Sequence, residues 1–164
     1  MSQLRAVPFF LKRSSDRWAG DGYTSRKEVA HGLLRLEEDR LVVQWRVSVK
    51  TETLASTHLS SEEDVEPVRE IVIPLSRVAG ASVRQAWWDL FSGGRLVLTG
   101  ADLRAFEAVA GAEGLKLRHP ARLELRIRRS DRLDAREFAA DVSLALAQLP
   151  RGDEREDRAL EPPT

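Results

Sequence analysis

The side chains best suited to moving protons near neutral pH are three histidines, His31, His58 and His119, and they lie far apart in unlike contexts. None stands in an H-E-x-x-H or H-x-E spacing, the arrangements that hold a catalytic metal and its base. No G-x-S-x-G elbow presents a serine nucleophile, and Gly93-Gly94 falls between strand patterns instead of in the strand–loop–helix setting of a phosphate cradle. Glu62, Glu63, Asp64 and Glu66 form an acidic run, but it lacks the glycine pivot and alternating oxygen ligands of a calcium loop. With no cysteine in the chain, thiolate metal sites, iron–sulfur clusters and cysteine nucleophiles are excluded. The residues therefore predict no catalytic, metal or cofactor site, and a protein that binds instead of catalysing.

Two surface features carry binding chemistry. From Lys116 to Arg136 there are eight basic residues (Lys116, Arg118, Arg122, Arg126, Arg128, Arg129, Arg132, Arg136) against three acids (Glu124, Asp131, Asp134), the one marked charge asymmetry in the sequence. Arg122, Arg126 and Arg128 share the solvent side of an alternating stretch and, with Arg129, form a candidate anion patch. The competing reading is that Glu70 or Glu37 faces them across the sheet and neutralises them. The second feature is Trp87-Trp88, followed by Leu90 and Phe91. Adjacent strand residues point to opposite faces, so one tryptophan is expected outward, as a hot spot for a protein partner or for self-association. Val7–Leu11 of the same chain could instead cover it.

These features sit in a chain of 164 residues with 26 basic and 26 acidic side chains, a pI near 6.9 and a single-domain length. Zero net charge predicts no general attraction to nucleic acid, and at most peripheral contact with membranes. The absence of cysteine fits a reducing compartment, and no apolar run approaches the eighteen or so residues of a membrane span, so a cytoplasmic protein is expected.

Residues 1–28 lack clear periodicity and are expected to add an edge strand or drape over the core. Leu34 and Leu36, then Leu41, Val43, Trp45, Val47 and Val49, alternate with polar or outward residues on either side of Glu38-Asp39, the pattern of a hairpin. Residues 51–68 are polar, acidic and serine-rich and read as a long loop. Strand patterns resume at 69–75, 79–88 and 95–99; residues 101–118 suggest a short helix or turn; 122–129 is an amphipathic strand. Asp134 and Glu137 read as a capping box opening a helix that carries Phe138, Val142, Ala145, Leu146 and Leu149 on one face up to Pro150. The resulting division is an N-terminal segment (1–28), a domain (29–150) and a disordered tail (151–164).

About seven antiparallel strands in meander order, closed by one amphipathic helix, resemble the pleckstrin-homology-like (PH-like) barrel. The hairpin GLLRLEEDRLVVQWR, the strand and turn IVIPLSRVAG, the Trp-Trp pair and the run LELRIRRSDRLDAREFAADVSLALA also resemble uncharacterised bacterial PH-like proteins, over roughly residues 32–149. The resemblance implies a mainly β fold whose members bind lipids, peptides or proteins and rarely catalyse a reaction. In the lipid-binding branch, cations between the first two strands grip phosphoinositides. Here Glu37-Glu38-Asp39 stand in that place, and three carboxylates would repel a polyphosphate. The expected function is a protein-interaction module using Trp87, Trp88, Leu90 and Phe91; the alternative is an anionic headgroup or small ligand held around Arg122–Arg132.

Overall fold

The computed structural model describes residues 6–20, 22–85, 93–115 and 117–150. They form β1 (Ala6–Ala19), β2 (Gly22–Glu37), β3 (Arg40–Ala55), β4 (His58–Val65), β5 (Arg69–Pro74), β6 (Val78–Arg84), β7 (Gly94–Gly100), the single turn α1 (Glu107–Ala110), β8 (Arg122–Ile127) and the long helix α2 (Arg132–Gln148). The strands make one antiparallel sheet in the order β4-β3-β2-β1-β8-β7-β6. β4 and β5 pair with successive halves of the same edge of β3: β4 along Ser48–Ala55, β5 along Arg40–Trp45.

Alternation sets the core. On β1, β2 and β3 the inward side chains Val7 and Phe9, Ala30 and Leu34, and Val43, Trp45 and Val47 are all buried. Leu96 and Leu98 of β7 and Leu123, Leu125 and Ile127 of β8 meet them. Gly32 is needed where it stands, because a Cβ there would collide with the Phe9 ring and the Gln44 carbonyl. Helix α2 packs on β6, β1 and β7 and buries Ala135, Phe138, Ala139 and Val142, spaced as one helical face. Ala145, Leu146 and Leu149 lie partly buried against the same core.

The sheet does not close into a barrel. Its path ends at β4 and β6, and no ladder joins those ends among the described residues. The chain rounds the corner from β5 to β6 through a 3-10 turn at Leu75–Arg77, which leaves the two strands unpaired to each other. At its centre the sheet is thin as well: β1 and β8 share the single pair Phe10–Arg126.

Three local expectations change. Residues 51–68 are the end of β3, a turn with Ser56 at positive φ, and β4; backbone pairing to the neighbouring strand holds this polar stretch extended without burial. Residues 6–19 form a central strand, paired along their whole length with β2, instead of an edge or a drape. Helix α2 begins at Arg132 with Asp131 at its N-cap and no side-chain cap bond. The Arg129–Asp131 turn has already coiled the chain, so Asp134 lies in the first turn, where a carboxylate suits the helix dipole.

Of the strand expected at 79–88, β6 covers the part up to Arg84, and residues 86–88 lie outside the described residues. The hairpin turns at Glu38-Asp39, α1 is the short helix foreseen between 101 and 118, and β8 alternates as read. The tail 151–164 lies outside the described residues.

Beyond the core, β1 to β4 run on as a four-stranded arm. Residues 12–19 and 58–65 are exposed at every position, so this part of the sheet has water on both faces.

Candidate anion-binding site

The single pair between β1 and β8 makes a seam. Past Phe10–Arg126 the two strands part, and a cleft of about 210 Å³ opens between them, lined by Leu11, Lys12, Arg95, Arg118, Glu124 and Arg126. Four of the six lining residues are cations. Glu124 is the one acid, and the Arg95 guanidinium already donates to it at 3.3 Å. Lys12, Arg118 and Arg126 form no ion pair among the described residues. Lys12 lies with its ammonium 5.6 Å from the centre of the Phe10 ring, a cation–π contact that directs it towards the seam.

Register explains why these side chains converge. Arg84 of β6 pairs with Arg95 of β7, Arg95 with Arg126 of β8, Arg126 with Phe10, Phe10 with His31 of β2, and His31 with Arg46 of β3. Directly paired residues point to the same face, so one row across six strands carries four arginines, a histidine and a phenylalanine. Three arginines stand on adjacent strands, where like charges opposite one another destabilise a sheet. A fold under no other constraint would alternate signs there.

Arg118 reaches the seam from the connection between α1 and β8, which is pinned from beneath. The Trp45 indole N–H donates to the Glu113 carbonyl at 3.0 Å, and Leu115 is buried. Arg69 bridges Glu66 at 2.9 Å and Glu113 at 2.8 Å, and the hydrogen bond to Glu113 raises its already high pKa further.

Of the four arginines singled out from sequence, Arg126 alone lines the cleft. Arg122 is half-buried opposite Thr99; Arg128 and Arg129 are exposed beyond the end of β8. Glu37 and Glu70 do not neutralise the strand: Glu37 pairs with Arg35 and Arg40 at 3.6 and 3.1 Å, and Glu70 with Arg35 at 3.5 Å. Lys12, Arg84 and Arg95 belong to the cationic surface and were missed, because their proximity depends on long-range register; Arg118 was counted in the basic segment but not in the candidate patch. Trp87, Trp88, Leu90 and Phe91 lie outside the described residues.

The histidines remain apart: His31 is exposed in the arginine row, His58 opens β4, and the His119 Nδ1 accepts the Ala121 backbone N–H at 3.2 Å. Among the described residues no three His, Asp or Glu side chains are grouped to hold a metal ion, and no helix is long and apolar enough to cross a membrane. Compared with protein-family models, with curated proteins and with solved structures, the chain matches none. The chemistry of the cleft must therefore be argued from its own residues. Those residues can desolvate and neutralise an anion, and no serine, cysteine or histidine stands among them.

Proposed function

We propose that this protein is a non-catalytic, cytoplasmic binding module of the PH-like kind that holds a phosphate- or carboxylate-bearing ligand in the seam between β1 and β8. The observation that carries the reading is the row placing Arg84, Arg95 and Arg126 on adjacent strands, with only Arg95 matched to a carboxylate among the described residues. Such a row costs stability in the free protein, and an anion bridging the guanidinium groups recovers it. Eight antiparallel strands followed by a helix on β6, β1 and β7 support the PH-like assignment by element order. The binding position, however, is the outer face of the β1–β8 junction, away from the acidic turn between β2 and β3.

The test is an NMR titration of isotope-labelled protein with inorganic pyrophosphate at low salt. The Arg95, Arg118 and Arg126 Nε–H signals should move together and saturate. Arg118→Ala and Arg126→Ala should each weaken binding by roughly 10-fold or more, the worth of one charge-assisted hydrogen bond of about 1.5–3 kcal/mol. Arg136→Ala, on the exposed side of α2, should leave it unchanged. Equal drift of all arginine signals, or full affinity in both cleft variants, would remove the site. Sedimentation with phosphatidylserine vesicles separates a headgroup from a free anion, since only a headgroup ligand brings the protein down with the lipid.

A further inference from the structure

Past the Phe10–Arg126 pair the sheet has an open edge. β1 continues from Lys12 to Ala19, paired with β2 on one side and with nothing on the other among the described residues. The direction of its backbone groups follows from the ladders on either flank. In an antiparallel pair one residue turns both N–H and C=O towards a neighbouring strand, and the next turns both away. The Glu66 N–H donates to the Val47 carbonyl at 2.9 Å, so odd residues of β3 turn away from β2 and even ones towards it. Carried through the unbroken registers of β3, β2 and β1, that parity bonds the odd residues of β1 to β2 and turns Lys12, Ser14, Asp16 and Trp18 outward. The other flank agrees. The Gly100 N–H donates to the Ala121 carbonyl at 2.8 Å, which sets the odd residues of β8 towards β7 and turns Glu124 and Arg126 towards β1. Phe10 and Arg126 close the last rung, and beyond it Lys12, Ser14, Asp16 and Trp18 make no backbone hydrogen bond on that side among the described residues.

Natural sheets protect such edges by shortening, bulging, proline or charge. Lys12–Ala19 runs without a register shift or a proline, so charge is the protection it has. Lys12, Arg13 and Arg17 stand along it against the single acid Asp16, and none of these cations forms an ion pair among the described residues. Glu28 stands across from Arg13 on β2 but does not pair with it. Cations at that density repel a second β1 and favour a strand that carries carboxylates. At the cleft end the same edge meets Arg118 and Arg126.

We propose that this edge takes up an extended acidic segment of a partner protein as an added strand. The partner's main chain completes the rungs at Lys12, Ser14, Asp16 and Trp18, and its alternate carboxylates meet Arg13 and Arg17. In contacts of this kind main-chain pairing supplies affinity, and side chains at every second position supply selectivity. Arg13, Ser15 and Arg17 share one face of β1, so acids at every second position of the added strand all meet that face. The inference extends the anion-binding reading and rests on it at one end only, where the leading carboxylate enters the cleft between Lys12, Arg118 and Arg126.

Amide hydrogen exchange of the isotope-labelled full chain tests it, with an acetylated ten-residue peptide of alternating threonine and glutamate as the probe. On saturation, exchange at the Ser14, Asp16 and Trp18 amides should slow about tenfold, while Arg13, Ser15 and Arg17, already bonded to β2, change little. Electrostatic association without strand pairing produces no such alternation. Ser14→Pro removes an outward N–H and no bond to β2, the kind of edge position where a sheet tolerates proline, and should weaken peptide binding about tenfold. Should it disturb the arm by circular dichroism, the peptide N-methylated throughout serves in its place and should fail to bind. The same peptide with lysine for glutamate should also fail. Slow exchange at the three amides already in the free protein, slowing without alternation, or no slowing at all overturns the proposal. So does concentration-dependent assembly of the free protein, which would give the edge to the acidic strand β4 of a second copy. Pyrophosphate titration judges the cleft separately. Saturation by pyrophosphate without peptide binding removes this inference alone, and alternate protection of the arm without pyrophosphate binding removes the cleft alone.

Discussion

If the Arg126 guanidinium is held for a ligand instead of for the fold, removing its charge should make the empty protein more stable. Arg126 stands directly opposite Arg95, and paired strand residues have Cβ atoms about 5 Å apart. Unit charges at that spacing would repel by roughly 0.8 kcal/mol in a water-like dielectric, an upper value because Glu124 already pairs with Arg95; screening leaves at most about 0.7 kcal/mol at 0.01 M salt and about 0.2 kcal/mol at 1 M. Arg126→Gln keeps most of the stem and hydrogen-bonding capacity but removes this repulsion. It should therefore raise the stability of the free protein by several tenths of a kcal/mol at low salt, about 2 °C in melting temperature for a domain of this size, and by almost nothing at high salt. Urea or thermal unfolding followed by circular dichroism at both ionic strengths reads the effect. Arg136→Gln, without a facing arginine, provides the baseline. A loss of stability at low salt in Arg126→Gln would mean that the side chain serves a structural partner, and the argument from unmatched charge would fail.

Other consequences concern the scaffold. Phe138 is fully buried on α2, so Phe138→Ala should cost about 3–5 kcal/mol in urea unfolding, whereas Leu144→Ala at an exposed position of the same helix should stay within about 0.5 kcal/mol. Gly32→Val should destabilise strongly, because Phe9 and the Gln44 carbonyl occupy the space its side chain needs; the readout is the unfolding midpoint, and an unchanged value would refute the close packing of β1 on β2. Glu113→Ala should spare the Trp45 indole bond, which uses the backbone carbonyl, while freeing Arg69 from one of its two carboxylates. The expected result is faster hydrogen exchange in residues 111–115 with little change in global stability.

The elements legible in the sequence are those with one dry face. Leu41, Val43, Trp45 and Val47 alternate because one side of β3 is core, and Phe138 and Val142 recur because one side of α2 is core. The arm escaped the same reading for the converse reason. At Lys12–Ala19 and His58–Val65 both faces meet water, no period of burial marks the strand, and ladder hydrogen bonds keep the chain extended. The cleft was legible only in part. Arg126 stands out from the alternation of β8 and Arg118 from the same basic segment, but Lys12 and Arg95 come from other strands and meet them through a register no local pattern encodes. The same register answers the expected neutralisation by Glu37 and Glu70, which turn to Arg35 and Arg40.

The most direct test of the cationic seam is a crystal of the full chain soaked in sodium tungstate, a heavy analogue of phosphate whose anomalous signal marks every bound anion. The account predicts one dominant peak between β1 and β8, within hydrogen-bond reach of Arg118 and Arg126. A seam without signal while tungstate occupies arginines elsewhere would contradict it.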